Sequence, residues 1–169
     1  MKNTRKFVFM ALLMALEVIL TRFLSIQTPI VRIGFGFLPI ALAGMMFGPL
    51  YAGAMAALAD IIGMMLFPSG AYFAGFTVSA FISGVIYGIF LYKKDKSMVR
   101  ITFSVVLNIL IVDTALNTIW LTMILNKAFI AIMAPRIIKN VAMIPIEVVV
   151  IFAIWKAMEK SFGKQYMMN

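Results

Sequence analysis

Long apolar runs, each close to the length needed to cross a bilayer, restrict the fold of this chain more than any other feature. A transmembrane helix needs about 20 mostly apolar residues, and runs near this length recur along the sequence. Of the 169 residues, 64% are hydrophobic and only 12% are charged, whereas about a quarter of a soluble domain is charged. Since a soluble fold of this size has no interior for so much apolar surface, we predict that lipid is its solvent.

Proline, glycine and charged clusters separate the apolar runs and predict six transmembrane helices in one bundle. The predicted helices cover residues 5–24, 37–47, 50–67, 74–92, 98–125 and 135–158. The second is too short to cross alone, so we expect it to be tilted, or partly unwound and shielded by its neighbours. Residues 1–169 are predicted to form a single, all-α integral membrane domain.

The first apolar run is predicted to be a retained helix. A signal peptide has a short apolar core followed by a cleavage site of small residues. This run follows Lys2, Arg5 and Lys6 and continues past Ala11 and Ala15 without a clear site of that kind.

The basic residues predict the topology. If the N-terminus is inside, ten of the 15 Lys and Arg residues flank the cytoplasmic helix ends, where such an excess is typical. We therefore expect both termini to be cytoplasmic, and the net charge of +9 to reflect topology, with no nucleic-acid partner. The other five cations fall on the outer half: Arg22, Arg32, Lys127, Arg136 and Lys139. Their surplus suits an anionic ligand; the alternative is that they reach lipid phosphates.

Four acidic residues fall at membrane depth: Glu17, Asp60, Asp113 and Glu147. Charges inside a membrane are costly and usually face a cavity or a partner. Helical spacing places Asp113, Asn117 and Trp120 on one face of the fifth helix. The sixth helix carries a second stripe, formed by Arg136, Lys139, Asn140, Met143 and Glu147. These groups predict an outward-opening cavity between the third, fifth and sixth helices.

The residue types in this cavity predict a flat, anionic ligand. Asp60 can accept paired hydrogen bonds from a ring with adjacent N–H and amino groups, and Trp120 can stack on such a ring. Arg136 and Lys139 can meet carboxylates nearer the rim, where arginine offers two parallel donors. The alternative is an internal ion-pair network, with Asp60 or Asp113 paired to Arg22 or Arg136.

The composition disfavours catalysis. The chain has no cysteine and no histidine, so it lacks disulfides, thiolate metal sites and the commonest general base and metal ligand. Paired carboxylates alone support acid–base chemistry, but no nucleophile accompanies them. We expect no enzyme activity, no catalytic residues and no metal site.

Two long stretches carry a family resemblance. Residues 32–63 read RIGFGFLPIALAGMMFGPLYAGAMAALADIIG, and residues 67–94 read FPSGAYFAGFTVSAFISGVIYGIFLYKK. Together with six spans, basic inner ends and the pattern Ala11-x-x-x-Ala15, they resemble the substrate-binding S components of energy-coupling-factor (ECF) vitamin transporters. The likeness covers essentially the whole chain and is strongest to the folate-specific members.

This resemblance implies a bacterial, multi-pass importer subunit without its own ATP site. A transmembrane coupling subunit and two ATPases would supply the energy, and the sequence has no G-x-x-x-x-G-K-[ST] loop. The face of Ala11 and Ala15 would dock on the coupling subunit, since small residues four apart allow close helix contact. The linkers 25–35 and 68–73 would gate the pocket, and the whole subunit would topple to release its cargo inward.

Among vitamins, folate fits the predicted cavity best, because its two carboxylates match the outer cations and its pterin matches a buried acid. We expect Asp60 to bind the pterin and Trp120 to stack. Hydrogen bonds to the ligand are assigned to Asp113, Asn117 and Asn140. The glutamate end is assigned to Arg22, Arg136 and Lys139, and Arg32 to the gate. No cofactor is expected besides the transported ligand. The alternatives are an S component for another anionic vitamin such as biotin, and a structural membrane protein that carries no solute.

Overall fold

The structure is a computed structural model that describes residues 2–68 and 72–162. Its elements are α1 Lys2–Arg22, β1 Ile26–Gln27, β2 Arg32–Ile33, α2 Phe37–Phe47, α3 Pro49–Leu66, α4 Ala74–Leu91, α5 Met98–Asn108, a π-helical stretch Ile109–Leu116, α6 Asn117–Leu125 and α7 Phe129–Phe162. Because α5, the π-helical stretch and α6 follow one another without a break, residues 98–125 form one rod. The described residues thus form six helical rods, as the sequence predicts.

Four of these rods are long and apolar enough to cross a membrane, among the described residues: Pro49–Leu66, Ala74–Leu91, Met98–Leu125 and Phe129–Lys160. Helix α2 has 11 residues and is too short to cross alone, as predicted. Helix α1 has 21 residues, but charged residues near both of its ends and at Glu17 keep it outside this set. The apolar rods define a multi-pass membrane protein.

The last helix begins at Phe129, six residues before the predicted start at residue 135. Asn126 adopts the left-handed conformation, with φ 49° and ψ 37°, and ends α6. The apolar residues that follow then continue directly into α7, so Pro135 and Pro145 lie inside the helix. Proline normally interrupts a helix because it lacks an N–H group, but packed neighbours in a membrane bundle make such positions tolerable.

A short β-hairpin lies in the linker between α1 and α2, a segment for which no strand was predicted. Its strands are antiparallel, with Ile26 opposite Ile33 and Gln27 opposite Arg32. Between them the Thr28 N–H donates to the Val31 carbonyl at 2.8 Å, and proline at position 29 favours such a turn. In the other predicted gate, linker 68–73, residues 69–71 lie outside the described part of the chain.

Small residues bring α2, α3 and α4 into close contact. A Cβ atom added at Gly84 would lie 2.5 Å from the Ala52 carbonyl carbon, and one at Gly88 would lie 2.3 Å from the Pro49 Cα. Small residues allow helices to approach in this way inside a membrane. Residues 38–45 of α2 are all buried, so its neighbours shield this short helix as predicted.

Candidate ligand-binding cavity

A cavity of about 670 Å³ lies within the bundle, beneath the hairpin. Residues of α1, α3, α4, α7 and the rod 98–125 line it, and its volume falls within the range of small-molecule sites. Its lining includes all four acids at membrane depth: Glu17, Asp60, Asp113 and Glu147. The expectation that these charges face a cavity is therefore confirmed.

At one end of the cavity, Asp60 on α3 is the centre of a polar cluster. The Arg22 Nη2 atom lies 3.7 Å from the Asp60 Oδ1 atom, and the Arg22 side chain is 3% exposed. The Thr77 hydroxyl donates to Asp60 Oδ2 at 2.8 Å, and the Tyr72 hydroxyl lies 3.1 Å from that of Thr77. Helices α1, α3 and α4 thus each contribute to fixing this carboxylate. The pair Arg22–Asp60 is one that the sequence offered as the alternative to ligand contacts.

Elsewhere in the cavity wall, Asp113 in the π-helical stretch faces two cations of α7. The Arg136 Nη2 atom lies 3.8 Å from Asp113 Oδ1, and the Lys139 Nζ atom lies 3.6 Å from Asp113 Oδ2. The Asn117 amide donates to Asp113 Oδ1 at 3.2 Å. Arg136 and Lys139 thus both face the Asp113 carboxylate.

Arg136 also joins the hairpin to the cavity wall. Its Nη1 atom donates to the Ile30 carbonyl at 2.8 Å, and its Nη2 atom donates to the Asp113 carbonyl at 2.7 Å. The Ile30 carbonyl belongs to the hairpin turn, and the Asp113 carbonyl belongs to the π-helical stretch. One buried guanidinium therefore holds the turn over the cavity.

Further polar groups, contributed by α4, α5 and α7, also line the cavity. The Tyr87 hydroxyl donates to Glu147 Oε2 at 3.4 Å. The Asn108 amide donates to the Ser83 hydroxyl at 2.9 Å. Sequence analysis assigned no role in the site to Tyr87, Asn108 or Ser83, because polar residues at single helix positions give no signal that they share a cavity.

Aromatic residues near the start of α4 line the cavity, and Trp120 stands behind them. Tyr72, Phe73 and Phe76 are part of the lining, whereas Trp120 is not among the described lining residues. The Trp120 ring lies 5.6 Å from the Phe73 ring, and its Nε1 atom donates to the Ser79 hydroxyl at 3.0 Å. The π winding explains this placement, because it turns less per residue than the α-helix from which the shared face with Asp113 was predicted.

The structure brings most of the predicted site residues together. Seven of them line the cavity: Arg22, Arg32, Asp60, Asp113, Asn117, Arg136 and Lys139. Asn140 lies behind the wall, where its amide donates to the Thr114 hydroxyl at 2.9 Å. Ala11 and Ala15 are exposed on α1 and take no part in the cavity. Among the described residues, no group of three or more acidic side chains is placed to hold a metal ion.

The fold and the cavity define a class of protein. Membrane-length helices surround a large cavity, whose charged lining residues come from five separate segments: α1, β2, α3, the π-helical stretch and α7. Such a site encloses a small polar molecule within a bundle, as in membrane proteins that bind a solute for transport.

The chain matches the family of ECF transporter substrate-specific components over residues 5–155. It therefore belongs to that family, and the resemblance drawn from its sequence is confirmed. Membership in a family of transport components agrees with the expectation that the chain is not an enzyme.

Individual relatives carry a more specific description. The chain is 48% identical to "Folate transporter FolT" of Clostridium novyi (strain NT) over 160 residues, covering 95% of this chain and 93% of the relative. It is 41% identical to a protein of the same name from Leuconostoc mesenteroides subsp. mesenteroides over 152 residues, covering 86% and 82%. A solved structure described as "Crystal structure of FolT bound with folic acid" matches with a TM-score of 0.86 and 37% identity, covering 89% of this chain and 92% of that one.

Proposed function

We propose that this chain is the folate-binding S component of an ECF-type importer. The observation that carries the proposal is the charged lining of the cavity, in which Asp60 pairs with Arg22 and Asp113 faces the two cations of α7. Folate carries groups that suit both clusters, with N–H donors on its pterin and two carboxylates on its glutamate. The folate transporters among the relatives, and the solved relative that holds folic acid, support the same ligand.

In this proposal the pterin lies against Asp60, with Arg22 beside it. Arg22 was predicted to bind the glutamate end of the ligand. Because it pairs with Asp60, we assign it to the pterin end instead. Phe73 lines the cavity and supplies the stacking surface, and Trp120 packs behind Phe73.

The glutamate lies against Lys139 and Arg136, where arginine offers two donors to a carboxylate. Asp113 and Asn117 border this end, and Arg32 on the hairpin meets the ligand from above. Asn140 acts from behind the wall through its hydrogen bond to Thr114.

Transport requires partners that the family resemblance implies. We propose that α1 docks through Ala11 and Ala15 on a transmembrane coupling subunit energised by two ATPases. In support of this, both alanines are exposed, as a helix-packing surface for a partner requires. Both termini would be cytoplasmic in a bacterial cell membrane, with the linkers 25–35 and 68–73 gating the cavity and the subunit toppling to release folate.

A titration tests the ligand directly. The protein, purified in detergent, is titrated with folic acid and separately with biotin by isothermal calorimetry. We expect one folic acid per chain and no heat of binding with biotin, because biotin has a single carboxylate. Binding of biotin alone would move the assignment to another vitamin. Binding of neither vitamin would favour a structural membrane protein, in which the charged residues of the cavity only pair with one another.

A further inference from the structure

Glu17 is a buried carboxylate in the cavity for which the proposed function has no role so far. It is 5% exposed on α1 and lines the cavity. Among the described residues, its Oε2 atom has no hydrogen-bond partner. An unsatisfied polar atom in a water-poor interior is costly, and native structures contain few of them. The cavity therefore contains a hydrogen-bond acceptor that no residue in the described part of the chain satisfies.

The neighbours of Glu17 are already engaged elsewhere. The Thr21 hydroxyl, one turn further along α1, donates to the Glu17 backbone carbonyl at 2.7 Å instead of to its carboxylate. Arg22 is drawn toward Asp60, 3.7 Å away. Glu17, Asp60 and Arg22 all line the cavity, and neither of these contacts involves the Glu17 carboxylate.

We propose that Glu17 is a ligand-binding residue that accepts a hydrogen bond from an N–H or amino donor on the ligand's heterocycle. Glu17 approaches from α1 and Asp60 from α3, so adjacent donors on one ring edge can each meet a different carboxylate. A pterin carries such donors on its pyrimidine ring. This inference rests on the proposed function and adds Glu17 as a determinant of specificity.

The consequence is discrimination between ligands. A site built to receive a donor strongly rejects an analogue without it, because the buried polar group of the site is then left unpaired. A ligand that carries only the aminobenzoyl-glutamate part of folate would contact the α7 side and leave Glu17 unpaired. Glu17 is thus expected to act on the heterocycle and not on the carboxylates.

The alternative is that Glu17 only balances the charge of Arg22. Asp60 already forms the ion pair with Arg22, and none of the ion pairs among the described residues includes Glu17. A structural partner of this kind would affect the stability of the ligand-free protein and would weaken every ligand equally. The stability of the ligand-free protein and the affinities for different ligands therefore distinguish a structural role of Glu17 from a ligand-binding one.

The test uses Glu17→Gln, which keeps the shape and removes the charge, in the full chain purified in detergent. Calorimetry measures the affinity for folic acid and, by competition, for N-(4-aminobenzoyl)-L-glutamate. We expect affinity for folic acid to fall by about 10- to 100-fold, since hydrogen bonds to charged groups are among the stronger ones. The affinity for the fragment should stay within about 2-fold. Glu159→Gln, near the far end of α7, is the matched control and should leave both affinities unchanged.

Three outcomes would overturn the inference. Unchanged affinity of Glu17→Gln for folic acid would remove the residue from the site. An equal loss for both ligands, with a lower melting temperature of the ligand-free variant, would make Glu17 a structural partner. Failure of the unmutated protein to bind folic acid would reject the proposed function, and with it this inference.

Discussion

Individual charges inside the bundle are the features that sequence reasoning located best. The four acids at membrane depth were identified because charge is rare and costly there, and all four line the cavity. Their partners were harder to predict, since Arg22 could as well have paired with Asp113 as with Asp60. Helical periodicity orders residues along one helix but does not fix how separate helices face each other.

Asp60 is the residue whose replacement tests the pterin end. We expect Asp60→Asn to weaken folic acid binding by about 10- to 100-fold, because the variant loses an acceptor and leaves Arg22 without its carboxylate. Thr77→Val removes the hydrogen bond that the Thr77 hydroxyl donates to Asp60 Oδ2 and should cost less. Calorimetric titration of both variants checks this order of effects. Equal affinity of Asp60→Asn and the unmutated protein would place the pterin elsewhere.

Among the elements, the hairpin shows how one side chain controls a segment. Arg136 donates to the Ile30 carbonyl in the turn and to the Asp113 carbonyl in the π-helical stretch. Lysine keeps the charge but lacks the planar, two-sided geometry of the guanidinium. The substitution Arg136→Lys should therefore release the turn while leaving the cavity cationic.

Hydrogen exchange measures that release. In Arg136→Lys, the Thr28 amide, which donates to the Val31 carbonyl at 2.8 Å, should exchange faster by about 10-fold, the loss expected from about 1.4 kcal/mol. Lys139→Arg is the matched control, because Lys139 contacts Asp113 and not the turn. If the exchange rate is the same in Arg136→Lys and in the control, the turn is held by other contacts.

The helix packing around α4 gives a second prediction at the level of elements. A Cβ atom at Gly84 would meet the Ala52 backbone at 2.5 Å, and the helices cannot move apart without losing contacts. Gly84→Ala should lower stability by about 1–3 kcal/mol, as overpacking does in other cores. Val78→Leu, at a half-exposed position on the same helix, should not. Melting temperatures in detergent check the difference, and equal values would show that α3 and α4 adjust freely.

The elements also show where prediction from sequence stops. The long rod 98–125 was predicted with its observed bounds, because length and hydropathy are properties of the chain alone. Its π winding over Ile109–Leu116 was not, since length and hydropathy do not distinguish π from α winding. That winding turned Trp120 away from the predicted face. The hairpin escaped prediction for a similar reason, because its two-residue strands are too short to show an alternating pattern.

At the scale of the whole molecule, the chain presents an exposed surface of small residues on α1. Ala11 and Ala15 are both exposed and lie apart from the cavity. Replacing both with leucine should leave folic acid binding unchanged and abolish uptake, because bulky side chains prevent close helix approach.

Cells that require external folate and carry the coupling subunits provide the uptake measurement. Ala54→Leu, an equally small and exposed position on α3, is the matched control and should support normal uptake. Normal uptake by the double leucine variant would assign the two alanines to another role and leave the coupling surface undefined.

The central claim is that the cavity binds folate, and the most direct test is to identify the molecule that the protein carries. The protein is purified in detergent from cells grown with folate and denatured, and the released small molecule is analysed by ultraviolet absorbance and mass. The account predicts a pterin-containing folate in a one-to-one ratio with the chain. A stoichiometric molecule without a pterin, or an empty protein whose melting temperature does not respond to added folic acid, would contradict it.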